Sequence, residues 1–190
     1  MTIFEFVLTL TSIIASLGLT HIVVGMVHLI RNASRVRFSF VHVLWVWVGF
    51  AFTVGNWASN WELRPLTSWP AWTVLMMIAT STAQYAYCAF VTPDAPDGEI
   101  DLVAFHESKR RGYLSALVVF GLLALLFNFT FGGANFYSDW LRDSLVTLVA
   151  LGATLLALLL GQRWVQVAAA LTVAGLATYF MLVATSIEGA

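Results

Sequence analysis

The chain predicts an all-α fold, a polytopic membrane bundle of six transmembrane helices with no soluble domain, and three observations carry that prediction. Hydrophobic residues make up 60% of the 190 and charged residues 10%, with a mean hydropathy of +0.86, far from the balance of a water-soluble domain. Six stretches reach the roughly 20 apolar residues needed to cross a bilayer: 3–30, 38–58, 71–91, 113–132, 143–162 and 165–186. Basic residues then alternate between the connections. Arg31, Arg35 and Arg37 follow span one, Lys109, Arg110 and Arg111 precede span four, and Arg163 separates spans five and six. These seven of the nine basic residues share one side, leaving Arg64 and Arg142 on the other. The positive-inside rule makes the richer side cytoplasmic and puts both termini on the non-cytoplasmic side.

Span one is the most polar of the six. Wound at about 100° per residue, it gathers Glu5, Thr9, Ser12, Ser16 and Thr20 on one stripe and Gly18, His21, Gly25 and His28 on another. Two such stripes predict packing on two sides. The first is a small-residue ridge for a neighbouring helix, or a polar path whose mouth is Glu5. Glu5 also fits a carboxylate capping the helix N-terminus. No basic segment precedes this run, so it is expected to stay as a membrane helix and not to act as a cleaved signal.

Span two carries His42, Gly49, Thr53 and Asn56, with Asn60 beyond, on one face, and span three carries Thr73, Thr80, Gln84 and Tyr87 or Cys88. Trp57, Trp61, Trp69, Trp72 and Trp140 mark the outer interface, and Trp164 the inner one. Pro65 and Pro70 break the chain between spans two and three. The connection 92–112 is expected to be a cytoplasmic loop, with an acidic turn at Asp94, Pro96, Asp97 and Gly98 and then a short amphipathic helix from Ile100 to Arg111 with Leu102 and Phe105 against the bilayer. Spans four to six are mostly Leu, Ala and Val, so polarity concentrates in the first half. That predicts spans one to three as the functional or oligomeric centre and four to six as scaffold. Asn128 is expected to hydrogen-bond a neighbouring helix, and Asp139 and Asp143 to begin span five.

The candidate pathway or helix-interface residues are therefore Glu5, Ser12, Ser16, His21, His28, His42, Thr53, Asn56 and Gln84. His28 and His42 each lie about a turn inside the cytoplasmic boundary on adjacent antiparallel spans. They are candidate axial ligands of a haem b, with Gly25 and Gly49 leaving room for a porphyrin. Together with His21 they also suit a proton relay, or plain hydrogen-bonded structural roles. A transition-metal site would want a carboxylate or thiol at that depth, so no metal set is assigned. The lone Cys88 sits in an apolar run and behaves as a small hydrophobe. No nucleophile–base pair, phosphate loop or dinucleotide fingerprint occurs, and the net charge of −1 gives no reason to expect nucleic acid as a partner.

The opening run Leu8 to Thr20 followed by Gly25, His28 and Arg31 is familiar, as are Arg35, Arg37, His42 and Trp45, and the later Glu99, Asp101, His106, Arg110 and Arg111. In these features the chain resembles uncharacterised small multi-span inner-membrane proteins of proteobacteria, over about its first 115 residues. The resemblance implies a bacterial inner membrane and supplies no function. The expected role is a homo-oligomeric channel or transporter for protons, ions or a small solute, its partners the lipid bilayer and further copies of the chain. The alternatives are a non-catalytic accessory subunit of a larger membrane complex, and a b-type haem or quinone-linked redox protein using His28 and His42.

Overall fold

The computed structural model describes residues 2–93, 99–129 and 136–186, except for the side chains of 136–139 and 143. The acidic turn expected at 94–98 and the carboxylates of Asp139 and Asp143 lie outside the described residues. The fold is all-α: α1 (Ile3–Arg31), α2 (Phe40–Ser59), α3 (Ala71–Val91), α4 (Leu102–Phe129), α5 (Phe136–Leu159) and α6 (Arg163–Thr185). The only sheet among the described residues is a two-residue parallel bridge, β1 (Val36–Arg37) with β2 (Ile100–Asp101). All helices except α5 are long and apolar enough to cross a membrane, and α5 holds a shorter apolar stretch, Ser144–Leu159.

The helices alternate in direction. One end of the bundle gathers the basic residues; the other, where Phe4 meets Trp61 and Trp69, gathers most of the tryptophans. The core is built around α2, which packs along α6 and also touches α1, α3 and α4. Its buried positions include His42, Trp45, Gly49, Phe52, Thr53 and Gly55. Glycines set the closest approaches: Gly18 lies against Cys88, Gly25 against Thr92, and Gly49 against Ile22 and Tyr87.

α1 departs from expectation, because it buries one side. Phe4, Val7, Thr11, Gly18, Ile22 and Gly25 form a single strip facing α3 and α2, while Glu5, Thr9, Ser16 and Thr20 are exposed and Ser12 half-buried. The physical reason is that the hydroxyls need no second partner. Thr9, Ser16 and Thr20 each donate to the carbonyl four residues earlier, at 2.7 Å. Ser12 instead accepts from Trp57 Nε1 at 2.9 Å. Glu5 closes a capping box with Thr2, accepting from the Thr2 amide at 2.9 Å, as a first-turn carboxylate should.

The connection before span four also differs. There is no separate amphipathic helix lying on the bilayer; residues 102–112 are the first three turns of α4. Leu102 is buried and Phe105 turns inward onto His42. Asp101 starts this helix, its carboxylate accepting from the amides of Val103 and Ala104 at 2.8 and 3.0 Å while also pairing with Arg37 at 2.9 Å. The Ala104 amide, followed by Arg37 and the Val103 amide, holds the Asp101 carboxyl below its ordinary range. A lowered carboxyl pKa stabilises the fold above the unfolded value, about 3.9, and that contribution is lost as pH falls through the lower folded value. Asp101→Ala should therefore melt below wild type at pH 7, and the two thermal curves should converge towards pH 3 as the native carboxylate protonates. A gap that persists undiminished in acid would show that the carboxylate's charge is not the source.

Candidate functional site: an interhelical cavity above a buried histidine cluster

Between α2, α4, α5 and α6, towards the tryptophan end, lies a cavity of about 760 Å³. Its walls are apolar, with Phe52 from α2, Leu117 and Phe120 from α4, Ala150 and Leu151 from α5, and Phe180 from α6. Its rim is polar: Asn60 and Glu62 after α2, Asn128 at the end of α4, and Trp140 and Arg142 in the first turns of α5. The rim is held by bonds between elements. Asn128 Nδ2 donates to Ser144 Oγ at 3.3 Å, meeting the expectation of an interhelical bond, and Trp140 Nε1 donates to the Leu125 carbonyl at 3.3 Å. On the α3 side, Thr80 reaches the cavity and Asn56 donates to Gln84 Oε1 at 3.2 Å. Apolar walls beneath a few convergent polar groups, in a volume within the ~300–1,000 Å³ of ligand pockets, are what a small-molecule site requires.

One helical turn below the cavity, towards the basic end, the interior becomes polar again. Leu117 lines the cavity; Tyr113, four residues earlier on α4, is fully buried. Around Tyr113 stand His106, whose Nδ1 is hydrogen-bonded to the Tyr113 hydroxyl, and His42, with ring centroids 6.1 and 6.5 Å from that of Tyr113. Trp45 and Tyr87 complete the ring at 6.4 and 6.2 Å, and Gln166 of α6 stands beside His106. The Tyr87 hydroxyl is satisfied, donating to the Trp45 carbonyl at 2.7 Å. Gln166 Nε2 and Arg110 both donate to the last carbonyls of α5, at Ala157 and Leu160, as donors at a helix C-terminus do.

Three buried atoms of this cluster stand without a hydrogen-bond partner among the described residues, both ring nitrogens of His42 and Trp45 Nε1, while the side chains of His106 and Gln166 face each other. Each buried polar atom left unmade costs about 1–3 kcal/mol. Three together, about 3–9 kcal/mol, would be comparable with a typical net stability of about 5–15 kcal/mol. Such a concentration is the signature of a site that works with internal water or a ligand.

The residues singled out from the sequence divide accordingly. His42, Thr53, Asn56 and Gln84 face the interior. Thr53 donates to the Gly49 carbonyl at 2.7 Å and lies 3.4 Å from Cys88 Sγ, whereas Asn56 reaches the cavity. Glu5, Ser16 and His21 are on the outer surface of α1, where His21 Nε2 meets the Tyr85 hydroxyl at 3.4 Å, while Ser12 is half-buried and bonded to Trp57 of α2. His28 is not paired with His42: it borders a surface recess of α1, and its Nε2 accepts from the Asn32 amide at 3.1 Å. The axial pair expected for a haem is therefore not assembled, and the space at Gly49 is filled by Ile22 and Tyr87. His42 packs instead against Phe105 and Tyr113 of α4, and Tyr113 bonds His106, a residue the sequence placed outside the membrane helices. The visible signal for it was Asp101, a helix-starting residue ahead of an apolar Leu102 and Phe105. The scaffold assignment of spans four to six is likewise corrected, because α4, α5 and α6 line most of the cavity and supply Tyr113, His106 and Gln166.

Fold and site define an all-α helical bundle with an amphipathic cavity open near one end and a buried histidine cluster near the other. Comparison with known proteins finds no matching family model, no matching curated protein and no matching solved structure.

Proposed function

We propose that this chain is a multi-pass protein of a bacterial cytoplasmic membrane, with all six helices crossing, that takes a small amphipathic solute into its interhelical cavity as a carrier. The cavity carries the proposal: apolar walls suit the body of such a solute and the Asn60, Glu62, Asn128 and Arg142 rim suits an uncharged or zwitterionic head. A bilayer setting is supported by the broad apolar exterior, where Phe6, Val24 and Ile30 of α1, Leu122 of α4, Leu156 of α5 and Leu182 of α6 are all more than half exposed. Seven of nine basic residues belong to the end away from the cavity mouth, so the positive-inside rule opens the cavity to the non-cytoplasmic side. A single chain encloses this cavity, which removes the need for an oligomer to complete a pathway.

The test uses protein in nanodiscs and an octyl amphiphile bearing a nitroxide quencher. Saturable quenching of tryptophan fluorescence is expected, with the saturable part largely lost in Trp140→Phe because Trp140 borders the mouth. Quenching that only rises linearly with probe, as simple bilayer partitioning would give, or that is indifferent to Trp140→Phe, rejects the cavity as a binding site.

A further inference from the structure

We infer that His42, His106 and Tyr113 form a buried proton-transfer site linking the floor of the cavity to the basic end of the bundle. The geometry is that of a relay. Leu117 and Thr154 line the cavity, and one turn further on α4 and α5 come Tyr113 and the Ala157 carbonyl that holds Gln166. The Tyr113 hydroxyl engages His106 Nδ1, leaving His106 Nε2 on the other side of the ring, with the Gln166 side chain beside it. His42, fully buried, offers two further unpartnered nitrogens, its ring packed edge-on against Phe105 and Tyr113. Imidazole suits the task because it binds a proton on one nitrogen while releasing one from the other.

The proton balance is simple. A proton reaching the Tyr113 oxygen from the cavity side lets the hydroxyl hand its own proton to His106 Nδ1, and Nε2 releases one towards the basic end. One proton enters, one leaves, and no oxidant or co-reactant is consumed. An internal water bonded to the unpartnered His42 nitrogens would join His42 to this chain. The titratable and charged groups facing the pair are Tyr87 from α3 and Glu107, Arg110 and Tyr113 from α4, and Glu107 is exposed and next to His106, a natural exit.

The experiment is proton flux into vesicles loaded with a pH-sensitive dye and driven by a valinomycin-clamped potassium gradient. Wild-type protein should exceed empty vesicles. His42→Phe, His106→Phe and Tyr113→Phe should each lower the excess by about tenfold or more, the scale on which proton-transfer groups act, while His28→Ala should stay within about twofold, that residue lying outside the cluster. Tyr113→Phe keeps the ring and removes only the hydroxyl, so it reads the relay even if a histidine variant does not fold. Wild-type flux equal to that of empty vesicles, or flux unchanged by Tyr113→Phe, overturns the inference. Protons need no solute in the cavity, so the quenching experiment and this one fail independently.

Discussion

Gly55→Leu is expected to abolish accumulation of folded protein, and Gly55→Ala to melt below wild type by up to about 8 °C, at roughly 2–4 °C per kcal/mol for a chain of this size. The cause is the contact between α2 and α6, the most extensive in the bundle. A Cβ at position 55 would sit 2.7 Å from Phe180 Cδ1 and 3.2 Å from Met181 Cα. The Phe180 ring has to shift, and the α6 backbone at Met181 stands in tight contact as well. Overpacking costs about 1–3 kcal/mol, whereas replacing glycine by alanine in a helix returns only about 1 kcal/mol, so the sum is unfavourable. Leucine adds three more carbons at the same place, and the two helices have to separate. Gly175→Ala is the control: nothing lies within 4 Å of that position, so alanine there should hold or raise the melting temperature. Equal effects at 55 and 175, read by thermal unfolding in detergent, would mean that helix propensity and not packing governs both sites.

The second large effect concerns the cavity. Ala124→Trp should weaken binding of the nitroxide amphiphile by at least about tenfold, or 1.4 kcal/mol, without lowering the melting temperature. Ala124 is a half-buried wall residue of α4, and an indole growing from it enters space that is already empty, unlike a side chain growing from Gly55. Filling a void adds contacts and removes solute volume together, so stability and binding should move in opposite directions. Ala150→Phe is the companion variant from α5, on the adjoining wall. Undiminished saturable quenching in both variants would place the probe elsewhere on the protein.

What was legible in the sequence follows from how local each property is. Hydropathy and length are summed along one segment, so five of the six stretches could be read as long apolar helices without knowing their neighbours. The buried stripe of α2, from His42 through Gly49 and Thr53 to Asn60, was equally legible, because a helix of known pitch fixes which residues share a side. The capping role of Glu5 needed only Thr2, three residues away.

Pairing between helices was not legible, because it depends on how each cylinder is rotated against the next. His28 and His42 were expected to meet, yet His28 sits half-buried beside the α1 strip that runs through Ile22 and Gly25, bordering a surface recess. His106 joins Tyr113 and Phe105 beside His42 only because Asp101 starts α4 three turns before its uniformly apolar part, and because β1 and β2 bring the two connections together. The cavity is a further step removed, a gap left by four helices that each look unremarkable alone. The sequence by itself determined which segments are apolar helices, the cap that Glu5 makes and which side of α2 is polar. Only the tertiary structure decided that α1 buries one face, that His42 packs with Phe105 and Tyr113 of α4 and not with His28, and that the plain second half lines the cavity. A helix's own residues set its periodicity, but its rotation is chosen by the fit of small and large side chains across every interface at once.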